Sequence, residues 1–143
     1  MEVRNAGPGD VWMVGVLDGS EDGVRYPHYR PSVTRDGVTV VEPRAPEDPL
    51  VGPLRVADFQ RLRPGGAFDP TRRDGAAAYL PLFTFASFCP SERGDYRYTL
   101  TLSTESGRPE EWLGRFGQEA VLDLVARVPR LTVTSNALEV EVR

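Results

Sequence analysis

Residues 96–103 read Tyr96-Arg97-Tyr98-Thr99-Leu100-Thr101-Leu102-Ser103, a strict alternation of apolar and polar side chains. Successive side chains of a β-strand point to opposite faces, so this pattern predicts a half-exposed antiparallel strand that follows Gly94. Residues 138–143 repeat the alternation, with Leu138, Val140 and Val142 set against Glu139, Glu141 and Arg143. Both stretches indicate sheets with one buried face.

A hairpin is predicted where Asp36-Gly37 separates residues 32–35 from residues 38–41, because Asp-Gly supplies the positive φ angles of a type I′ turn. The apolar run from Leu80 to Cys89 predicts a central strand that is covered on both faces. Residues 109–128 are the helical exception: Pro109 suits a helix start, and Val121, Leu124, Val125 and Val128 share one helical face. The stretch from Leu122 to Val128 also alternates, so a strand there stays open.

Composition fits one domain over residues 1–143. The chain has 14 Gly and 13 Pro, which favours many turns over a helical bundle. Its net charge is −4 and every basic residue is Arg, so we expect neither a nucleic-acid nor a membrane partner. Cys89 is the only cysteine, which excludes an internal disulfide. No secretion signal begins the sequence, so we expect a cytoplasmic location, although a secreted chain without its signal peptide fits as well.

These elements together predict a mainly β protein: an antiparallel β-sandwich with one helical insertion at about residues 109–128. Three segments resemble a bacterial immunoglobulin-like sandwich module. They are Asp58–Gly65, the Gly94-Asp95-Tyr96 entry into a strand, and Ser135-Asn136 before the closing alternation. The resemblance implies a fold and a binding or spacing role, and it transfers no catalytic residue.

A cluster of aromatic and cationic residues is the predicted binding surface. Two Tyr rings, two guanidiniums and an imidazole suit a carboxylate, an aromatic group or a partner peptide. The alternative is a strand end whose Tyr rings cover the sandwich. Trp112 either packs its helix onto the sandwich or meets a partner. The candidate binding residues are Arg25, Tyr26, His28, Tyr29, Arg30 and Trp112.

Asp18, Ser20 and Asp22 have the 1, 3 and 5 spacing of a calcium loop, with Gly23 at the turn. The twelfth position is Tyr29, where such a loop needs a bidentate Glu. A polar turn explains the same residues, so calcium is an alternative and no cofactor is required.

The predicted function is a non-enzymatic interaction module. It binds a protein partner, or itself, through residues 18–30 or through an exposed strand edge. The alternatives are a small-ligand or calcium-binding protein and a hydrolase centred on His28. No catalytic residue is assigned, because neither a phosphate-binding glycine loop nor a nucleophile elbow occurs, and a Cys89–His28 pair is disfavoured by the apolar context of Cys89.

Overall fold

A computed structural model describes residues 1–15, 19–43, 51–72, 82–113 and 119–143. Within these ranges the chain is mainly β, with antiparallel sheets. The strands are β1 (Val3–Arg4), β2 (Val11–Val14), β3 (His28–Arg35), β4 (Val38–Val41), β5 (Phe59–Leu62), β6 (Ala67–Phe68), β7 (Gly94–Ser103), β8 (Thr132–Thr134) and β9 (Leu138–Val142). The helices are α1 (Phe83–Ala86), α2 (Glu110–Leu113) and α3 (Glu119–Arg127), and a 3₁₀ turn spans Val56–Asp58.

The largest sheet has the order β4-β3-β7, with β8 and β9 both paired to the far side of β7. The β3–β4 hairpin is confirmed: Asp36 and Gly37 both have positive φ, at 49° and 84°. The alternation of residues 96–102 is also confirmed, since Tyr96, Leu100 and Leu102 are buried along β7 while Arg97 is exposed. Every residue of β3 pairs with a residue of β7, so these two strands define the inner and outer faces of the sheet.

The core lies where the inner face of this sheet meets the β2–β5 pair and the late helices. It includes Tyr29 from β3, Leu100 and Leu102 from β7, and Val121 and Val125 from α3. The predicted helical insertion is confirmed over Glu110–Leu113 and Glu119–Arg127, and residues 114–118 lie outside the described ranges. The segment forms a helix rather than the alternative strand, because a 3.6-residue period brings Val121, Val125 and Val128 to one buried face.

The predicted central strand at residues 80–89 is wrong over its described part, residues 82–89. Phe83–Ala86 forms helix α1, and Phe83 is 71% exposed. The Glu21 carboxylate accepts hydrogen bonds from the Phe83 and Thr84 amides, which satisfies two donors at the helix start. Phe85 packs edge-on against Tyr98, with ring centroids 5.6 Å apart, whereas Phe83 faces solvent. The segment is therefore covered on one side. Cys89 is accordingly exposed rather than buried.

Candidate functional site

The structure does not bring the predicted binding residues at 25–30 onto one exposed surface. Arg25 and Tyr29 are buried, Tyr26 and His28 are half-buried, and Arg30 is exposed. Strand alternation explains the split within β3, since Tyr29 lies opposite the buried Leu102 while His28 and Arg30 point to the outer face. The Arg25 guanidinium donates to the carbonyl of Gly52. The segment therefore serves the core as much as the surface.

Trp112 takes the first of its two predicted roles and packs its helix onto the core. It is fully buried, and its indole Nε1 donates to the Ser106 carbonyl at 2.9 Å. The Arg130 guanidinium lies 5.0 Å from its ring centroid, and Tyr26 lies 5.6 Å away. Tyr26 in turn stacks on His28 at 3.8 Å. Tyr26 and His28 are the half-buried members of this aromatic stack, and Trp112 is its fully buried member.

Two observations bear on nucleophilic or acid–base chemistry at His28. Among the described residues, no carboxylate, hydroxyl or thiol forms a hydrogen bond with the imidazole. His28 pairs with Ser103, whereas Cys89 lies near Tyr98, five positions earlier on β7. At 3.4 Å per residue that separation is about 17 Å along the strand. A nucleophile–base pair requires contact within a hydrogen bond, which this placement does not provide.

The pKa of His28 is lowered from 6.5, chiefly because burial penalises the imidazolium, with Arg30 acting in the same direction and Asp22 opposing both. The unfolded chain therefore binds this proton more readily than the folded protein does. We expect the free energy of unfolding to be level above about pH 7.5 and to fall as the pH drops through 6.5 towards about pH 5.5.

Urea titrations across that range measure this slope. His28 is the only histidine, so His28→Gln should remove the slope within this window whatever its effect on absolute stability. A variant that keeps the slope would assign it to another group.

The predicted calcium loop is held together by its own hydrogen bonds. The Asp22 carboxylate accepts from the Val24 amide at 3.3 Å, and the Ser20 carbonyl accepts from the Tyr29 amide at 2.8 Å. Asp18 lies outside the described residues. In the part of the chain that the structure describes, no three His, Cys, Asp or Glu side chains gather as metal ligands. Tyr29, at the twelfth position, faces the core, and calcium binding stays a prediction.

Two hydroxyls of this loop are buried, those of Ser20 and Tyr29. Neither Ser20 Oγ nor the Tyr29 hydroxyl has a hydrogen-bond partner among the described residues. Burial raises the pKa of Tyr29, so its phenol stays protonated. Both residues are fully buried.

A surface of a different kind lies at the edge of the large sheet. β8 and β9 form one strand along β7, interrupted by a bulge in which three residues, 135–137, oppose Thr99 and Leu100. At the bulge the Ser135 amide donates to the Leu100 carbonyl at 2.8 Å, and Ser135 Oγ accepts from the Leu100 amide at 3.0 Å. No described residue pairs with the other side of Thr132–Val142, which we call the β8–β9 edge.

The apolar side chains of this edge are uncovered. The β7 register places Val133, Leu138 and Val140 on the inner face, next to Leu102, Tyr98 and Tyr96. Leu138 is nevertheless 64% exposed and Val133 50%. The alternation at residues 138–142 thus predicts the strand correctly, but its apolar face is not buried as expected. The core cluster includes Leu100 and Leu102 of β7 with residues of β2, β5 and α3, but it does not extend to the apolar residues of β8 and β9.

A groove of about 790 Å³ runs along the inner side of the edge. Its lining combines the bulge and Leu138 with Leu82 and Phe85 of the α1 segment and with Tyr98 and Leu100 of β7. The N-terminal residues Met1, Glu2 and Arg4 also line it. The β4 edge offers less room for an added strand. β4 is only four residues long and is followed by Pro43, which has no amide donor.

Comparison with known proteins adds no relative: no family model, curated protein or solved structure matches this chain. In the described ranges no helix is long and apolar enough to cross a membrane.

Proposed function

We propose that this protein is a non-enzymatic interaction module, built on an immunoglobulin-like sandwich, that binds an extended segment of a protein partner at the β8–β9 edge. The observation that carries the proposal is that two features coincide at this edge. No described residue forms strand hydrogen bonds with its outer side, and the apolar side chains on its inner face are exposed. An added strand forms main-chain hydrogen bonds to such an edge, and its alternate side chains enter the groove beside it.

The geometry favours this edge over the loop at residues 18–30. Arg25 and Tyr29 in that loop are buried, and the Asp22 and Glu21 carboxylates already accept backbone hydrogen bonds. At the β8–β9 edge, by contrast, Leu138, Val140 and Val133 pack against little of the described structure, so a partner segment can remove their surface from water. Uncovered apolar surface beside a groove is typical of an interaction site.

Val140→Lys tests the proposal, because it places an ammonium on the inner face in the middle of β9. We expect this variant, used as bait, to bind the captured partner at least about tenfold more weakly than the wild type, since a buried strand would have to desolvate the charge. Binding is measured by quantitative capture from the native lysate, followed by titration of the captured protein.

Val56→Lys is the matched control. Val56 is exposed in the 3₁₀ turn Val56–Asp58, outside the sheets, so the same substitution changes net charge equally without touching the edge. Equal capture by both variants, or equal loss, would contradict binding at the edge. Thermal unfolding of each variant checks that both remain folded.

A further inference from the structure

We infer that the segment bound at the β8–β9 edge carries basic side chains that alternate with apolar ones, and that it does not come from a second copy of this chain. The inference rests on the proposed function and specifies its ligand. It follows from the charges on one face of the edge and from the groove on the other, whose lining is mainly apolar although it also includes Glu2 and Arg4.

The outer face beside β9 is acidic. Glu139 and Glu141 project there, and with Asp36 and Asp95 they line a shallow depression that contains one guanidinium, that of Arg97. Arg143 contacts Glu141 at 3.1 Å, but both side chains are mostly exposed. Such exposed pairs are weak and exchange readily with other cations. A segment paired with β9 therefore meets carboxylates at alternate positions.

Cross-strand neighbours set which side chains the segment needs. In an antiparallel pair, opposite charges directly across from each other stabilise the pairing and like charges destabilise it. Positions of the added strand that lie opposite Glu139 and Glu141 thus favour Lys or Arg. The intervening positions point towards Leu138, Leu82 and Phe85, and they favour apolar residues.

The same alternation disfavours a second copy at this edge. When β9 pairs with β9 of another molecule about Val140, Glu139 of one copy lies opposite Glu141 of the other. Centring the pair on Glu139 sets Glu139 against itself. Charged residues and bulges are devices that protect sheet edges from self-association, and both occur here, at Glu139, Glu141 and Ser135.

Two synthetic peptides of equal length test the ligand class: an alternating Lys-Val repeat and an alternating Glu-Val repeat, each with a fluorescent label. We expect the basic peptide to bind the full chain about tenfold more tightly by fluorescence anisotropy, because two attractive cross-strand pairs replace two repulsive ones. The preference should shrink in about 1 M salt, where the screening length is only about 3 Å.

The Glu139→Lys/Glu141→Lys variant should reverse the preference towards the acidic peptide. Glu110→Lys/Asp123→Lys is the control: both residues are exposed on α2 and α3, and the net charge changes by the same amount. The control should keep the wild-type preference. If both double variants change the preference equally, net charge alone sets it and the inference is wrong.

The outcomes separate the inference from the proposed function. Binding of both repeats with equal affinity, lost in Val140→Lys, would overturn the charge preference and keep strand addition at the edge. Binding of neither repeat, or binding that Val140→Lys leaves unchanged, would overturn both. The molar mass of the free chain, measured by light scattering, gives the remaining test. If the wild type is a dimer and Val140→Lys is a monomer, a second copy binds at this edge and that part of the inference is wrong.

Discussion

Trp112→Ala should lower the free energy of unfolding by about 3–5 kcal/mol, as is typical when a buried aromatic side chain is truncated in a core. Trp112 is fully buried and contacts Tyr26 and Arg130, and its indole nitrogen donates to the Ser106 carbonyl. Removing the ring leaves a cavity beside α2, an unpaired carbonyl and no aromatic face for Arg130. Urea denaturation with linear extrapolation measures the loss.

Trp112→Phe divides this effect. Phenylalanine keeps most of the apolar contact but lacks the N–H donor, so we expect a smaller loss of about 1–3 kcal/mol. A surface Trp held only by a partner would behave differently: both substitutions would leave unfolding almost unchanged and would weaken partner capture instead. That result would contradict the position of Trp112 in the core.

The centre of the fold could be predicted from sequence because its signals are local. The alternation along β7 needs only that successive side chains point to opposite faces, and the hairpin needs only the positive φ angles of Asp36 and Gly37. The helical face at Val121 and Val125 is equally local. These patterns hold whatever packs against them, which is why they agree with the structure.

Burial, by contrast, depends on elements far away in the chain. The apolar run before Cys89 is not a central strand, because Tyr98 covers one side of it and the carboxylate of Glu21 binds the start of a short helix. Neither partner is visible in the run itself. The phenylalanines indicate a buried segment, but only the tertiary contacts show that one side of the segment is buried and the other is exposed.

The candidate site shows the same limit. Residues 138–142 carry the alternation of an ordinary half-buried strand, and nothing in them reveals that the opposite layer ends before it reaches Leu138. The sequence predicts binding through the loop at residues 18–30 or through an exposed strand edge, without indicating which edge. The signal that separates them is the position of β8–β9 beyond the β2–β5 pair, which is a property of the topology.

Arg25 and Arg30 test whether the loop at residues 18–30 is a binding surface, because sequence assigned both to it. Arg25 is 2% exposed, and its guanidinium donates to the Gly52 carbonyl. We expect Arg25→Ala to lower the free energy of unfolding by about 2–4 kcal/mol, because the substitution removes a packed side chain and its hydrogen bond to the Gly52 carbonyl.

Arg30→Ala is the matched control, with the same change five residues along the chain at an exposed position of β3. Surface substitutions of this kind usually alter stability by no more than about 0.5 kcal/mol. Urea denaturation of the two variants side by side therefore distinguishes a structural arginine from a surface one. Similarly small losses of unfolding free energy in both variants would place Arg25 at the surface and favour residues 18–30 as a binding site. A large loss confined to Arg25 would assign that arginine to the core and remove it from the predicted binding surface.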